Sequence, residues 1–213
     1  MRCWRRAGWS RIGGRTPRRS PRIRCGWCGG AKRMELVLSL SPHQGGTTET
    51  LAAAVAGMRQ ARCLFLRDFQ VAPCRGCGAC RQGACPLAAG DDAEALFARV
   101  GAASRLIVAA PVYFYHVPAL AKAWIDRAQS RYWSGPPAAV PKPAAALLVA
   151  GRPRGDELFS GIVRTLRFFL PYLGFALGPV VGLRGVEGPG DLDACVWEAV
   201  RGGLAAWPHP EGG

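Results

Sequence analysis

Residues 34–58 read MELVLSLSPHQGGTTETLAAAVAGM, and the rest of the chain is organised around this stretch. It opens with a short apolar run at residues 36–38, passes through a loop rich in Ser, Gly and Thr, and continues as a helix-forming segment. A buried strand that leads into a helix N-terminus makes an anion site, because the first helical amides lack partners and the helix dipole adds positive potential. The alternative is that Thr47 and Thr48 are ordinary helix caps.

The net charge of +14 is concentrated in the first segment of the chain. Residues 1–33 hold ten arginines, one lysine and no acidic residue, which leaves 17 basic and 14 acidic side chains elsewhere. Because this segment lacks a hydrophobic period and is broken by Gly and Pro, it is predicted to be disordered. Its composition resembles a transit peptide and would suit nucleic-acid contact, but we favour a dispensable extension before Met34. Nucleic acid is therefore not the expected partner.

The chain contains no uncharged, unbroken run that approaches the roughly 20 apolar residues of a membrane span. We therefore expect a soluble protein without a membrane partner. Nine cysteines without a secretory signal indicate a reducing compartment, the cytoplasm, and a metal or redox use for the thiols. The expected organisation is a basic extension at residues 1–33, one domain at residues 34–207 and a frayed tail at residues 208–213.

Strand-like and helix-like patterns alternate five times along the domain. Strands are expected at residues 36–38, 61–67, 105–110, 144–150 and 175–181, and helices are expected after residue 46, from residue 91, and at residues 118–129, 157–172 and 192–206. Such alternation predicts a parallel sheet between layers of helices, with right-handed crossovers. Ligands of these sheets bind beyond the carboxyl ends of the strands, where the strand order reverses. This rule selects the loops at residues 41–48 and 111–116.

Three motifs carry a resemblance to a known family. They are Ser41-Pro42-x-x-x-Gly46-x-Thr48; Pro111-Val112-Tyr113 followed by Ala119-x-x-Lys122-x-x-Ile125-Asp126-Arg127; and Cys74-x-x-Cys77-x-x-Cys80-x-x-x-x-Cys85 followed by Asp91-Asp92. With these motifs in this order, the chain resembles the NAD(P)H-dependent FMN reductase and flavodoxin-like oxidoreductase family, and more narrowly its iron–sulfur flavoprotein branch. The resemblance implies a flavodoxin-like, three-layer α/β sandwich whose five-stranded parallel sheet has the order 2-1-3-4-5, with helices on both faces.

The resemblance also implies a binding site for FMN. The phosphate would be bound by Ser41, His43, Gly46, Thr47 and Thr48, and the ring would be lined by Pro111, Val112, Tyr113, Phe114 and His116. Leu40, His43 and Thr47 stand where the family commonly has Gly, Arg and Asn, so the phosphate site is less cationic than usual. The aromatic side chains could instead pack as core or at a dimer interface. Arg152 could reach the ring or a nicotinamide phosphate, or simply be solvated.

The cysteines have several possible uses. By resemblance, Cys74, Cys77, Cys80 and Cys85 would hold a four-iron, four-sulfur cluster, for which four thiolates in a compact loop are suited. Zinc is an alternative, and so is no metal at all, since similar patterns occur in family members without a cluster. Cys63 and Cys195 are expected to be small core residues, and the Cys25-x-x-Cys28 pair is interpreted as chance.

The resemblance implies an enzyme that takes electrons from a nicotinamide nucleotide through FMN to a quinone, a free flavin or a redox protein. No catalytic side chain is expected, because hydride delivery needs no acid or base. Lys122 and Asp126 are expected to pair on one helix face. Family members generally form dimers or tetramers. The alternative is a flavodoxin-type electron carrier that does not use a nicotinamide nucleotide, although the slightly basic body of this chain favours the reductase.

Overall fold

The computed structural model describes residues 34–205 and residue 207. The predictions for residues 1–33, for the cysteine pair at positions 25 and 28, and for the tail at residues 208–213 therefore lie outside the described residues. Five strands and six α-helices follow one another along the described chain. They are β1 (Glu35–Ser39), α1 (Thr47–Met58), β2 (Arg62–Phe65), α2 (Ala93–Ala102), β3 (Arg105–Pro111), α3 (Ala119–Asp126), α4 (Gln129–Ser134), β4 (Lys142–Ala150), α5 (Ser160–Phe169), β5 (Phe175–Arg184) and α6 (Ala194–Gly203).

The strands form one parallel sheet in the order β2-β1-β3-β4-β5, as predicted. Successive side chains of a strand point to opposite faces, so the apolar central strands supply two cores. Leu36 and Leu106 belong to the core that α2, α3 and α5 cover. Val37 and Ile107 belong to the core that α1 and α6 cover. The predicted three-layer sandwich is confirmed.

The core under α2, α3 and α5 contains a cluster of three aromatic side chains that joins these helices. Trp124 on α3 stacks on Phe97 of α2 with ring centroids 4.9 Å apart, and it meets Phe169 of α5 edge-on at 5.1 Å. All three rings are buried. Aromatic pairs in these arrangements add stability beyond the area that they bury, so the cluster fixes α3 against α2 and α5.

Several element boundaries differ from the sequence-based expectation. The helix expected at residues 118–129 ends at Asp126, where the amide of Ala128 donates to the Ile125 carbonyl at 3.0 Å and forms a turn. Helix α4, which the sequence did not predict, follows this turn. Strand β4 begins at Lys142 and includes Pro143, which pairs only with β5, so its missing amide breaks no bond to β3. Strand β2 is shorter than expected, because residues 66–68 form a 3-10 turn.

None of the helices in the described part of the chain is long and apolar enough to cross a membrane.

A buried ion pair ties the start of β1 to the end of α1. Arg59 Nη2 donates to Glu35 Oε2 at 2.9 Å, and both side chains are almost inaccessible. Replacing the Glu35 carboxylate is destabilising, because it removes a buried charge and the charge-assisted hydrogen bonds that this charge accepts from Arg59. We expect Glu35→Gln to lower the free energy of unfolding by about 3 kcal/mol in urea denaturation.

The control is the predicted pair on α3, which the structure confirms. Lys122 Nζ lies 2.6 Å from Asp126 Oδ1, and both side chains are nearly half exposed. Because exposed pairs contribute little, Lys122→Met should cost less than about 1 kcal/mol. Equal losses in the two variants would contradict the role assigned to Glu35.

Candidate functional site

The two loops chosen by the sheet rule lie side by side. Strands β1 and β3 are neighbours, with Ser39 opposite Ala109, and the amide of Leu40 donates to the Ala109 carbonyl at 2.8 Å. Past these strand ends, the rings of His43 and Tyr113 approach to a centroid distance of 6.5 Å. The sheet therefore brings the Ser/Gly/Thr loop and the aromatic loop together at the point where the strand order reverses.

The N-terminus of α1 has no side-chain cap. The cap position is Gly46, and no side chain accepts a hydrogen bond there. Thr47 and Thr48 lie buried inside the first turn, and the Thr47 hydroxyl donates to the Glu187 carbonyl at 2.8 Å. The interpretation of the two threonines as ordinary caps is therefore wrong. An uncapped first turn presents amides and positive potential that suit an anion.

Short hydrogen-bonded links shape the loop that precedes α1. Ser39 Oγ accepts from the amide of Ser41 at 3.4 Å, and Ser41 Oγ accepts from the amide of His43 at 3.2 Å. Gly45, at φ +69°, donates its amide to Glu49 Oε2 at 2.5 Å. These bonds fix the backbone of the loop around Ser41 and His43.

Arg67 is a contributor to this loop that the sequence reasoning did not identify. Its Nη2 donates to Glu49 Oε1 at 2.8 Å, and its Nη1 donates to the His43 carbonyl at 3.2 Å. The guanidinium also covers the Phe65 ring at 4.6 Å. Arg67 follows β2, the neighbour of β1 in the sheet, so the strand order was the only sequence-level signal for this contact.

The aromatic loop contains a strained hairpin turn. Tyr113 and His116 exchange amide-to-carbonyl hydrogen bonds of 2.8 and 2.9 Å, with Phe114 (φ 48°) and Tyr115 (φ 64°) between them. A two-residue turn with positive φ at both central positions usually holds Asn and Gly, and bulky residues there cost about 1–3 kcal/mol each. The Phe114 ring is nevertheless fully exposed. Strain that no packing of this side chain explains is typical of a functional position.

Neighbouring elements support the turn from one side. Arg152 Nη1 donates to the Tyr115 hydroxyl at 2.9 Å, so Arg152 contacts the predicted aromatic loop. His116 Nε2 and Thr165 Oγ1 share a hydrogen bond of 2.9 Å, which directs this imidazole towards α5. A Cβ on Gly161 would lie 2.6 Å from the Tyr115 carbonyl oxygen, so only glycine permits this close approach of α5.

The remaining two residues of the predicted ring site continue β3 into the loop. Pro111 ends β3, and the amide of Val112 donates to the Val149 carbonyl of β4 at 2.8 Å. Val112 is partly buried against the core under α2, α3 and α5. Both residues thus form a rigid base beneath the exposed turn.

The four cysteines of the third motif line a single cavity of about 550 Å³. Cys74 and Cys77 are exposed, while Cys80 and Cys85 are half-buried. Among residues 34–205 and 207, no group of three or more His, Cys, Asp or Glu side chains stands in an arrangement ready to hold a metal ion. The sulfurs therefore share a cavity without converging on one point. No residue of the two sheet-edge loops lines this cavity.

Asp91 and Arg127 close the base of the cysteine-rich loop. Asp91 Oδ2 accepts from the amide of Ala72 at 2.9 Å and from Arg127 Nη1, which also donates to the Ala72 carbonyl at 3.1 Å. Burial alone would raise the pKa of Asp91, but hydrogen bonds from Arg127, Ala72 and Ala93 lower it below its usual value. The pair joins both ends of the loop to the end of α3.

The two described cysteines outside the motif lie in different surroundings. Cys195 is exposed on α6, so the prediction of a core residue is wrong there. It stands in the first turn of the helix, ahead of the buried Val200. Cys63 on β2 is half-buried and packs against the core under α1, and burial raises the pKa of its thiol to about 11.

The lowered pKa of Asp91 predicts a pH-dependent contribution to stability. Because the folded-state pKa is below the unfolded value of about 3.9, the contribution is complete at neutral pH and is lost as the pH falls through the folded pKa. Asp91→Asn should lower the free energy of unfolding by about 3 kcal/mol at neutral pH. Denaturant titrations from neutral pH to about pH 3 should show that this difference shrinks. A difference that stays constant would contradict the assignment, and Asp126→Asn is the exposed control.

Comparison with known proteins is consistent with this geometry. The family model described as NADPH-dependent FMN reductase matches residues 36–167. The "Iron-sulfur flavoprotein" of Methanosarcina thermophila is 38% identical over 96 residues, which cover 42% of this chain and 49% of that protein. The "Iron-sulfur flavoprotein" of Archaeoglobus fulgidus is 29% identical over 98 residues, covering 44% and 48%. The match thus spans about half the length of these relatives.

Solved structures share the fold at low identity. The NAD(P)H:quinone oxidoreductase of Methanothermobacter marburgensis superposes with a TM-score of 0.61 at 20% identity, covering 82% of this chain and 96% of that one. An NADH:FMN oxidoreductase in its apo form gives a TM-score of 0.56 at 19% identity, covering 81% and 87%. Because the family model spans more than half of the chain, the resemblance inferred from the three motifs is confirmed, with iron–sulfur flavoproteins among the relatives. The chain belongs to the NADPH-dependent FMN reductase family.

Proposed function

We propose that this protein is an FMN-dependent oxidoreductase that takes electrons from a nicotinamide nucleotide and delivers them to a quinone, a flavin or a redox protein. The observation that carries the proposal is the pairing of an uncapped helix N-terminus with a strained aromatic turn at the β1/β3 switch point. The helix N-terminus suits a phosphate and the aromatic turn suits a flat apolar ring, and the two lie side by side.

The chain offers each part of FMN a matching group. The first-turn amides of α1 and the Ser41 hydroxyl would bind the phosphate, with His43 beside them at the mouth of the loop. Arg67 would hold the loop in shape through Glu49 and the His43 carbonyl. Pro111 and Val112 would form the floor under the ring, and the exposed edge of residues 113–116 would flank it. When bound, FMN supplies the exchange of electrons in pairs or singly.

Binding and orientation are the tasks of the protein in this proposal. No side chain is required as an acid or base, because the nicotinamide delivers a hydride. The names of the two solved structures support nicotinamide donors and flavin or quinone acceptors in proteins of this fold. The turn at residues 113–116 would place a substrate against the exposed side of the ring and limit its access to water.

We further propose that the four cysteines hold an iron–sulfur cluster, as the names of the relatives suggest. The fit rests on the donor set, since four thiols and a buried guanidinium line one cavity of about 550 Å³. A cluster bound there supplies one-electron transfer. Cys74, Cys77, Cys80 and Cys85 would be its ligands once the loop draws their sulfurs together.

Anaerobic stopped-flow spectroscopy tests the nicotinamide donor. Protein loaded with FMN should lose its flavin absorbance when mixed with NADPH or NADH, because a bound nicotinamide reduces the flavin. An unbleached flavin with both nucleotides would overturn the reductase proposal and favour a carrier of the flavodoxin type. The absorbance spectrum of anaerobically purified protein tests the cluster separately, since flavin bands without a broad additional absorption would exclude it.

A substitution in the strained turn should raise the stability of the protein and weaken its binding of FMN. Phe114→Asn replaces a fully exposed ring with a residue that tolerates positive φ, so the free energy of unfolding should rise by about 1 kcal/mol. The same change removes an aromatic contact and should weaken FMN binding several-fold, measured by quenching of flavin fluorescence.

The matched control is Phe168→Asn, which removes another exposed phenylalanine from a regular position on α5. This variant should gain no stability and should bind FMN like the unmodified protein. If Phe114→Asn were less stable than the unmodified protein, the strain would not be real. If it bound FMN equally well, Phe114 would not belong to the flavin site.

A further inference from the structure

Arg127 is the most completely buried cation among the described ion pairs. Its side chain is inaccessible to solvent, and it lines the cavity of the four cysteines. One nitrogen, Nη1, makes both of its hydrogen bonds, to Asp91 and to the Ala72 carbonyl. Nη1 is therefore the nitrogen through which Arg127 links the end of α3 to the base of the cysteine-rich loop.

The other two nitrogens of this guanidinium have no partner within the described part of the chain. Both Nε and Nη2 are buried and make no hydrogen bond. A buried donor left unpaired is costly, so each such group needs an explanation. The cavity is also lined by Asp126 and Gln129, but Asp126 pairs with Lys122, and neither residue accepts from Nε or Nη2. The four cysteine sulfurs are the other possible acceptors along the lining.

Cys85 lines the cavity together with this guanidinium, and its charge acts on Arg127. Burial alone would lower the pKa of Arg127, but Asp91 and then Cys85 raise it. Nε and Nη2 make no hydrogen bond to Cys85 in this structure, although Arg127 and Cys85 line the same cavity. A thiolate has a charge that the thiol lacks and is a stronger acceptor for both unpaired donors.

We propose that Arg127 is a positioning residue for the cluster, whose Nε and Nη2 donate hydrogen bonds to the Cys85 thiolate, hold that sulfur in place and raise the reduction potential. This inference rests on the proposed iron–sulfur cluster. Hydrogen bonds and positive charge at the ligand sulfurs stabilise the reduced, more negative form of a cluster. The two roles are divided among the nitrogens, since Nη1 holds the loop and the two unpaired nitrogens remain available to the ligand.

Arg127→Lys separates the two roles. An ammonium keeps the positive charge that Asp91 needs but loses the fork of donors directed at the sulfur. The holoprotein is reconstituted anaerobically with iron and sulfide, and the midpoint potential of the cluster is measured by a titration followed by electron paramagnetic resonance. The rate at which a chelator removes the iron is measured alongside, because neither quantity depends on enzymatic turnover.

The expected result is a more negative midpoint potential and severalfold faster loss of iron in Arg127→Lys. The control is Arg131→Gln on the adjacent helix, whose guanidinium pairs with Glu94 at 3.0 Å and covers the Phe97 ring. This variant removes a nearby positive charge without touching the donors, so its potential should shift less. An unchanged potential in Arg127→Lys, or an equal shift in Arg131→Gln, would overturn the inference.

A second variant keeps the inference testable if Arg127→Lys does not fold. Asp91→Asn combined with Arg127→Gln removes both charges of the buried pair together, which avoids leaving one of them unpaired. It should show the same negative shift in potential, and an unchanged potential would also overturn the inference. If the unmodified protein took up FMN but no iron, the cluster and this role of Arg127 would both fail, while the flavin proposal would stand.

Discussion

The parallel pairing of β1 with β3 is the constraint on which the rest of the structure depends. It places two strands that are about 70 residues apart in the chain beside each other at the centre of the sheet, with Leu38 opposite Val108. Their carboxyl ends therefore open at one edge, and the loops that follow meet as the His43 and Tyr113 rings approach. If β1 and β3 were not neighbours in the sheet, the sequence would be the same, but the anion site and the aromatic turn would lie apart.

Two arginines hold the loops next to this sheet in fixed conformations. Arg67, after β2, holds the loop before α1 through Glu49 and a backbone carbonyl. Arg127, at the end of α3, holds both ends of the cysteine-rich loop through Asp91 and Ala72. In each case one guanidinium joins a carboxylate and a carbonyl, through two nitrogens in Arg67 and through Nη1 alone in Arg127. The loops that would bind the cofactors are therefore anchored from outside their own sequence.

Periodicity and motif spacing were enough to predict the sheet order, the layers and the two loops at the switch point. They predicted the buried face of α2, because Leu96 and Phe97 recur at helical spacing and both are buried. They missed α4, because the break after Asp126 depends on a backbone turn and not on a proline or glycine. They also missed the tasks of Arg67 and Arg127, since an arginine reveals its partner only when distant elements are packed together. Cys195 was predicted to be a core residue because its side chain is small and apolar, but it lies on an exposed position of α6.

The central claim is that the loop at residues 41–48 binds the phosphate of FMN. Parallel titrations of the apoprotein with FMN and with riboflavin, followed by quenching of flavin fluorescence, test it most directly. The two ligands share a ring and differ in the phosphate alone. We expect FMN to bind at least about a hundredfold more tightly than riboflavin, since a dianion at a helix N-terminus with charge-assisted hydrogen bonds contributes about 3 kcal/mol. Equal affinities for FMN and riboflavin would contradict it.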